Sequence, residues 1–136
     1  LGTDGAASNN RLNALNEMQA AALLAKIESG SPEALPAHKA IEMATINGAK
    51  ALGIDHITGS LEVGKAADMI ALSTRELAML PGHNILSDVV YATSGNEVRW
   101  SWVAGHNILR DRRLQTLDTE AILRKAASWR VKLATG

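Results

Sequence analysis

The 136-residue sequence contains no cysteine and no phenylalanine, and its aromatic residues are limited to three tryptophans and one tyrosine. The absence of cysteine excludes disulfide bonds and metal sites built on thiolates. Because large aromatic side chains are scarce, the core has to consist mainly of aliphatic residues and alanine. A chain without cysteine suits a reducing compartment, and we expect a cytoplasmic protein.

The sequence also lacks an excess of either charge, since 14 Lys and Arg residues balance 14 Asp and Glu residues. A neutral chain gives no electrostatic reason to expect nucleic acid or a membrane surface as a partner. No apolar run approaches the roughly 20 residues that a membrane-spanning helix needs. The chain begins with neither a methionine nor the pattern of a signal peptide, so we expect a truncated, processed or partially sequenced protein.

Residues 1–53 are rich in small residues and in helical patterns. An apolar start predicts a short strand at 1–4, followed by a loop of Gly, Ser and Asn in which Asn10 can cap a helix. Apolar positions spaced by three and four predict a helix over about 12–28. A second helix over about 36–52 begins at a proline, and its small residues predict the close approach of another backbone.

Residues 54–114 have the character of strands separated by glycine turns. The apolar run at 69–72 predicts a buried strand, and alternation at 97–103 predicts a half-buried one. A turn then leads to a hairpin partner at 107–110. For 87–92 the periodicity does not decide between a short helix and a strand.

Residues 115–136 predict one further helix, over about 118–133. Asp118 is suited to cap its first turn. The whole length is that of a single domain with a core of its own.

Asp4 is the first candidate for a functional residue. It follows the apolar start and precedes a Gly/Ser/Asn loop, and a carboxylate at the end of a strand is a common active-site position in parallel α/β folds. Asp before Gly is also ordinary turn chemistry, and on the pattern alone a turn or capping residue is the more frequent outcome. The residues by themselves leave both interpretations open.

The other polar residues form no catalytic motif. No two of the histidines have the spacing that places two imidazoles on one metal, so we expect surface positions for His38, His56, His83 and His106. Ser8 has no partnered histidine in the sequence, and a serine-hydrolase triad therefore has no support.

The stretch that contains Asp4 resembles a known family motif. Residues 2–10 read GTDGAASNN, which is similar to the last-strand motif of the amidohydrolase superfamily, in the branch of methylthioadenosine/S-adenosylhomocysteine deaminases and triazine chlorohydrolases. Later stretches resemble the same family in the expected order: the helix after its barrel (43–53), the turn and strand that enter its β domain (59–70), and the closing strands of that domain (90–92, 96–98 and 103–105). The resemblance covers nearly the whole chain.

The resemblance implies an α/β fold in three parts. Residues 1–53 would be the last βα unit of a (β/α)8 metal-dependent hydrolase barrel, and 54–114 would be part of a small composite β-sandwich. Residues 115–136 would be a C-terminal helix that packs back on the barrel. Because a barrel takes about 250 residues, its remainder has to come from elsewhere in a longer protein or from another polypeptide. Intact relatives imply a homo-oligomer.

The function implied by the resemblance is hydrolytic deamination of a purine-type or related nitrogen heterocycle, a small molecule, by metal-activated water. The cofactor would be one divalent metal ion, most often zinc. Asp4 would serve both as a metal ligand and as the catalytic proton acceptor. Ser8 and Asn9 would face the substrate pocket, although a helix-capping or loop-shaping role fits them equally well.

The chain departs from the family pattern in one large respect. It has no His-x-His pair and no later metal histidines, and a catalytic zinc normally needs three protein ligands. We therefore expect the isolated chain to be inactive. The alternatives are a chlorohydrolase or another aminohydrolase of the same family, or a non-catalytic β module.

Overall fold

The computed structural model describes residues 1–134 and has a mixed α/β fold, as the sequence predicts. The helices are α1 (Ala14–Ser29), α2 (Ala37–Ala44), α3 (Ile46–Ala51), α4 (Ile85–Tyr91) and α5 (Thr119–Ala134), with a 3-10 turn at Leu77–Met79. The strands are β1 (Met69–Leu72), β2 (Val98–Val103), β3 (His106–Arg110) and β4 (Arg113–Leu114).

The core lies where α1 packs against α2 and α4. Leu15, Met18 and Ala22 recur on one face of α1 and are buried together with Ala40 of α2 and Val90 of α4. Burying a side chain of the size of Leu or Met stabilises a fold by about 1.5–3 kcal/mol. This small aliphatic core therefore fixes α1, and with it the segment that precedes α1.

The start of α1 is set by Asn13. Its Oδ1 accepts hydrogen bonds from the N–H groups of Leu15 and Asn16, at 3.1 and 3.4 Å. The expectation that Asn10 caps this helix is wrong, because the chain enters the helix three residues later. At the other end Gly30 adopts a left-handed conformation, with φ of 64°, which ends the helix in the way glycine commonly does.

The single helix predicted over 36–52 is interrupted at Thr45. This residue has φ of −126° and ψ of −101°, and it separates α2 from α3. The Thr45 hydroxyl donates to the carbonyl oxygen of Ile41 at 2.7 Å. Such local bonds compete with the helical ladder and often bend helices, which is why helical periodicity alone missed the break.

The loop after α3 packs tightly against it. Gly59 has φ of 94°, and a Cβ added to it would lie 2.7 Å from the Cβ of Ala49 and 3.0 Å from the Cα of Ile46. The close approach predicted from the small residues is thus confirmed at Ala49. At Gly48 an added Cβ would meet nothing closer than 3.9 Å.

The four strands form one antiparallel sheet in the order β1-β2-β3-β4. Ile70 lies opposite Ser101, Ser101 opposite Leu109, and Leu109 opposite Leu114. The strands predicted at 69–72, 97–103 and 107–110 are confirmed, and so is the hairpin. The burial predicted for 69–72 is wrong, because this strand lies at the edge of the sheet, with Met69 and Ile70 exposed and Ala71 and Leu72 only partly buried. Within residues 1–134, β1 pairs only with β2, so its other edge is unpaired.

The segment that periodicity left undecided is helix α4. The Oδ1 of Asn84 accepts from the N–H groups of Leu86 and Ser87, both at 3.1 Å, which caps the first turn. Val90 of α4 has no exposed surface. A capped helix with one fully buried position is therefore what this stretch forms.

Residues 1–4 do not form the predicted strand. A strand needs a neighbouring strand for its backbone groups, and the strands that the structure describes lie elsewhere in the chain. The Leu1 amino group instead donates to the carbonyl oxygen of Met43 at 3.2 Å.

The last helix is confirmed, and it stands apart from the core. Asp118 caps it as predicted, since its Oδ1 accepts from the N–H of Ala121 at 3.0 Å. Its large apolar side chains Ile122, Leu123 and Trp129, however, are each about half exposed, so the rest of the described chain leaves them largely uncovered. No helix within residues 1–134 has the length and apolar character that crossing a membrane requires.

Candidate functional site

Asp4 directly precedes a tight turn over residues 5–9, and α1 begins five residues after that turn. Its Oδ1 accepts a hydrogen bond from the N–H of Gly5 at 2.6 Å, and its Oδ2 accepts one from the Ser8 hydroxyl at 3.0 Å. The backbone of Asp4 is left-handed, with φ of 59°. The side chain is nevertheless exposed, so the carboxylate is both oriented and accessible.

These hydrogen bonds favour the ionised form of Asp4. The N–H of Gly5, and to a lesser extent the Ser8 hydroxyl, hold the pKa of the Asp4 carboxyl below its ordinary value. A carboxylate that stays ionised and open to solvent has the chemistry of a metal ligand or a proton acceptor.

Ser8 lies beside Asp4 in the structure. The N–H groups of Ser8 and Asn9 both donate to the carbonyl oxygen of Gly5 at 3.0 Å, which closes the turn. The Ser8 hydroxyl is within 3.0 Å of Asp4 and 3.2 Å of the Gly5 carbonyl oxygen. Two of the three residues singled out from the sequence, Asp4 and Ser8, are therefore in direct contact.

Asn9 points the other way, into the molecule. Its Nδ2 donates to the carbonyl oxygen of Thr3 and to Oε1 of Glu17, both at 2.8 Å, and its Oδ1 accepts from the N–H of Arg11 at 2.9 Å. Glu17 is a residue that the sequence analysis missed. Its signal was an acidic residue in the first turn of a helix that directly follows a loop rich in asparagine.

A second set of bonds links this region to the turn between α4 and β2. The Nδ2 of Asn13 donates to the carbonyl oxygen of Ser94 at 2.7 Å. That turn is in turn held by Glu97, whose Oε2 accepts from the N–H groups of Ser94 and Gly95 at 2.9 and 3.0 Å. The start of α1 is therefore fixed from both its core face and its N-terminal end.

Glu97 is a buried carboxylate, with 5% of its surface exposed. Burial alone would raise its pKa. The N–H groups of Ser94, of Glu97 itself and of Gly95, with the Ser94 hydroxyl, outweigh this effect and hold the pKa of Glu97 below its ordinary value. Glu97 therefore holds a turn, and a buried carboxylate of this kind is typical of structure rather than of ligand binding.

The donors that this chain offers do not amount to a metal site. Across residues 1–134, no three His, Asp or Glu side chains come together in a way that could hold a metal ion. His38, His56, His83 and His106 are exposed, as the sequence predicts. Asp4 fits the role of one ligand, and the residues described here do not complete the set.

A cleft of about 640 Å³ lies between α3 and the β1–β2 edge of the sheet. Its walls are mostly apolar and include Leu52, Leu61, Ile70 and Trp102. Asp4, Ser8 and Asn9 do not line it. The cleft and the Asp4 loop are thus separate features of the chain.

Comparison with known sequences gives consistent results. The model of the amidohydrolase family matches residues 1–108. The chain is 51% identical over 133 residues to the 5-methylthioadenosine/S-adenosylhomocysteine deaminase of Teredinibacter turnerae. The aligned residues make up 98% of this chain and 30% of that protein. The chain is 44% identical over 126 residues to the 5'-deoxyadenosine deaminase of Methanosarcina acetivorans, which covers 93% of this chain and 29% of that protein.

Solved structures resemble the chain as well. An adenosine deaminase from Xanthomonas campestris with bound zinc superposes with a TM-score of 0.93 at 40% identity, covering 99% of this chain and 31% of that one. An atrazine chlorohydrolase from Arthrobacter aurescens complexed with zinc superposes with a TM-score of 0.81 at 26% identity. The superposition covers 91% of this chain and 28% of the chlorohydrolase chain.

The chain spans about 30% of the length of the curated relatives that it matches. Within that span the family model covers the Asp4 loop, the core helices and most of the sheet. The match to the family model, the sequence identity and the superposed fold agree with the resemblance that the Asp4 motif indicates, and this chain belongs to the amidohydrolase family.

Proposed function

We propose that this chain is the C-terminal part of a metal-dependent deaminase that hydrolyses the amino group from an adenosine-type nucleoside. The observation that carries the proposal is its identity of 44–51% to deaminases of methylthioadenosine, S-adenosylhomocysteine and 5'-deoxyadenosine. Its identity to the atrazine chlorohydrolase is 26%, which favours deamination over dechlorination. The non-catalytic β module has no comparable support.

In this proposal Asp4 is both a ligand of the metal and the proton acceptor. Asp4, with ligands from the rest of the protein, would hold a divalent metal, zinc by analogy with the zinc-bound neighbours, and that metal would supply a bound water whose pKa is about 7. The ionised, exposed carboxylate of Asp4 is suited to take a proton from the attacking water and pass it toward the leaving amine. The C–O bond would form at the ring carbon and the C–N bond would break. One proton of the water would leave with ammonia, and the other would end on a ring nitrogen of the oxo product.

The Ser8 hydroxyl supports this role by fixing one oxygen of Asp4. Its bond to Oδ2 leaves the outer lone pairs of the carboxylate free, because each carboxylate oxygen accepts more than one hydrogen bond. Ser8 is exposed on the same loop as Asp4, and we therefore also propose that it contacts the substrate directly.

We also propose how the chain fits into the longer protein. Residues 1–53 would complete a (β/α)8 barrel, and 54–114 would form one part of a composite β-sandwich. The unpaired edge of β1 and the apolar cleft beside it favour the addition of strands from the remaining part. The exposed side chains of Ile122, Leu123 and Trp129 favour packing of α5 against the barrel. Homo-oligomerisation and a cytoplasmic location remain predictions.

The proposal is tested on the full-length protein. We expect one zinc per protomer by metal analysis, and ammonia release from 5'-methylthioadenosine, S-adenosylhomocysteine, 5'-deoxyadenosine or adenosine. Atrazine is the matched control, because chloride release would report dechlorination instead. Chloride release without ammonia release from any nucleoside would contradict the deaminase proposal.

The purified 136-residue chain makes a second arm of the same experiment. Because its described residues offer one ligand where three are needed, we expect neither stoichiometric zinc nor ammonia release. Turnover equal to that of the full-length protein would show that the 136-residue chain contains the complete active site, and would contradict the proposal.

A further inference from the structure

The amide group of Asn9 has no free donor. A side-chain NH2 group provides two N–H donors, and in Asn9 they go to the carbonyl oxygen of Thr3 and to Oε1 of Glu17. The amide oxygen accepts from the N–H of Arg11. The side chain is also half-buried. For Asn9 to donate to a substrate, one of these bonds would have to break.

The partners of Asn9 lie on both sides of the Asp4 loop. Thr3 directly precedes Asp4, whereas Glu17 stands on the first turn of α1, between the buried residues Leu15 and Met18. The Asn9 amide therefore ties the backbone next to Asp4 to a helix that the core holds in place. Asn13, which caps the same helix, is anchored in its turn to Ser94.

We infer that Asn9 and Glu17 form a clamp that positions the Asp4 loop, and that Asn9 is not a substrate ligand. This inference rests on the proposed role of Asp4 in deamination. The side chain of Glu17 is an acceptor on a helix that the core holds in place. The Asn9 amide donates to it and to the carbonyl oxygen of Thr3, and so fixes the backbone next to Asp4 relative to that helix. Asp4 then needs only the short bonds from Gly5 and Ser8 to aim its carboxylate.

A positioning role and a substrate-binding role predict different kinetics. Groups that orient a metal ligand cost about 10–100-fold in activity when they are removed. A misplaced Asp4 lowers kcat with little change in KM, because binding of the ground-state substrate is retained. Loss of a substrate ligand raises KM, and removal of Glu17 would then have no effect of its own.

The experiment uses four variants of the full-length protein: Asn9→Ala, Glu17→Ala, Glu17→Gln and the Asn9→Ala/Glu17→Ala double variant. We expect each alanine variant to lower kcat about 10–100-fold with KM within about threefold of wild type. The double variant should be no worse than either single one, because both remove the same clamp. Glu17→Gln should keep most of the activity, since its amide oxygen can still accept from Asn9.

Glu28→Ala is the matched control, since Glu28 is an exposed glutamate on the same helix, and we expect wild-type kinetics. A rise in KM for Asn9→Ala with kcat unchanged, together with wild-type behaviour of Glu17→Ala, would overturn the inference. Additive losses in the double variant would overturn it as well.

Hydrogen exchange of backbone amides provides a readout that does not depend on activity. The N–H groups of Ser8 and Asn9 close the turn onto Gly5. In Glu17→Ala we expect both to exchange at least about tenfold faster, and in Glu17→Gln to exchange as in wild type. If the wild-type protein deaminates no nucleoside, the proposed function fails and the exchange rates still decide the inference. Unchanged exchange in Glu17→Ala overturns it.

Discussion

Two carboxylates in this chain accept hydrogen bonds from the same kinds of donor but differ in their exposure to solvent. Asp4 accepts from a glycine N–H and a serine hydroxyl, and Glu97 accepts from a serine N–H, a glycine N–H and the same serine's hydroxyl. In both cases these bonds lower the pKa. Asp4, however, is exposed, and Glu97 has 5% of its surface exposed.

The comparison teaches that hydrogen bonds alone do not identify a functional carboxylate. Around Glu97 the backbone turns toward the carboxylate and covers it, so its acceptor capacity is used to hold the turn. Around Asp4 the loop holds the carboxylate from below and leaves the outer side open. Accessibility, together with partners that fix orientation, distinguishes a candidate ligand from a structural anchor.

The largest effect that would test this contrast is the loss of Asp4 from the full-length protein. We expect Asp4→Ala and Asp4→Asn to lower ammonia release by about 10²–10⁴-fold, because the proton acceptor is gone. Asp4→Asn is the sharper variant, since its amide oxygen can still accept from Gly5 and keep the loop closed. For Asp4→Asn the midpoint of thermal unfolding should stay at the wild-type value, because asparagine also tolerates the left-handed backbone. Retention of activity in Asp4→Asn would break the distinction between the two carboxylates.

A smaller effect, on stability instead of activity, is expected at Glu97. Replacing Glu97 with alanine removes the charged acceptor of the Ser94 and Gly95 N–H groups, and we expect the free energy of unfolding to fall by about 2 kcal/mol. Urea denaturation measures this change. Glu33→Ala is the control, because Glu33 is exposed. If Glu97→Ala were as stable as the control, the buried carboxylate would not be an anchor.

The smallest effect concerns the dependence of stability on pH. Because the folded-state pKa of Glu97 is lowered, its ionisation stabilises the fold fully above the unfolded value of about 4.3, and this contribution is lost as the pH falls through the folded-state pKa. Glu97→Gln should therefore flatten the acid side of the stability curve. Urea denaturation between about pH 3 and pH 6 would reveal this, and an unchanged slope would contradict it.

The sequence was sufficient for elements whose signals are local. The alternation at 97–103 predicted β2, and the capping aspartate predicted the start of α5. The Asp4 motif indicated both the family and the residue most suited to a site. Each of these depends on side chains within a few positions of one another.

Signals that depend on tertiary contacts were missed. The sequence favoured Asn10 as the helix cap, and it is Asn13 that both caps α1 and contacts Ser94. The expected strand at 1–4 requires neighbouring strands that residues 1–134 do not provide. Glu17 and Glu97 looked like ordinary acidic residues, because their partners are set by the path of the chain and not by spacing.

The left-handed backbone at Asp4 restricts which acid can stand there. With φ of 59°, most side chains crowd the neighbouring carbonyl oxygen, and Asp and Asn are the non-glycine residues that tolerate this region best. Glutamate carries the same charge but has no such preference, and its longer side chain would carry the carboxylate past Gly5 and Ser8. The turn therefore selects aspartate among the acids before any ligand is bound, and in a directed library at this position glycine, asparagine and aspartate should give the most stable variants and aspartate alone the active one.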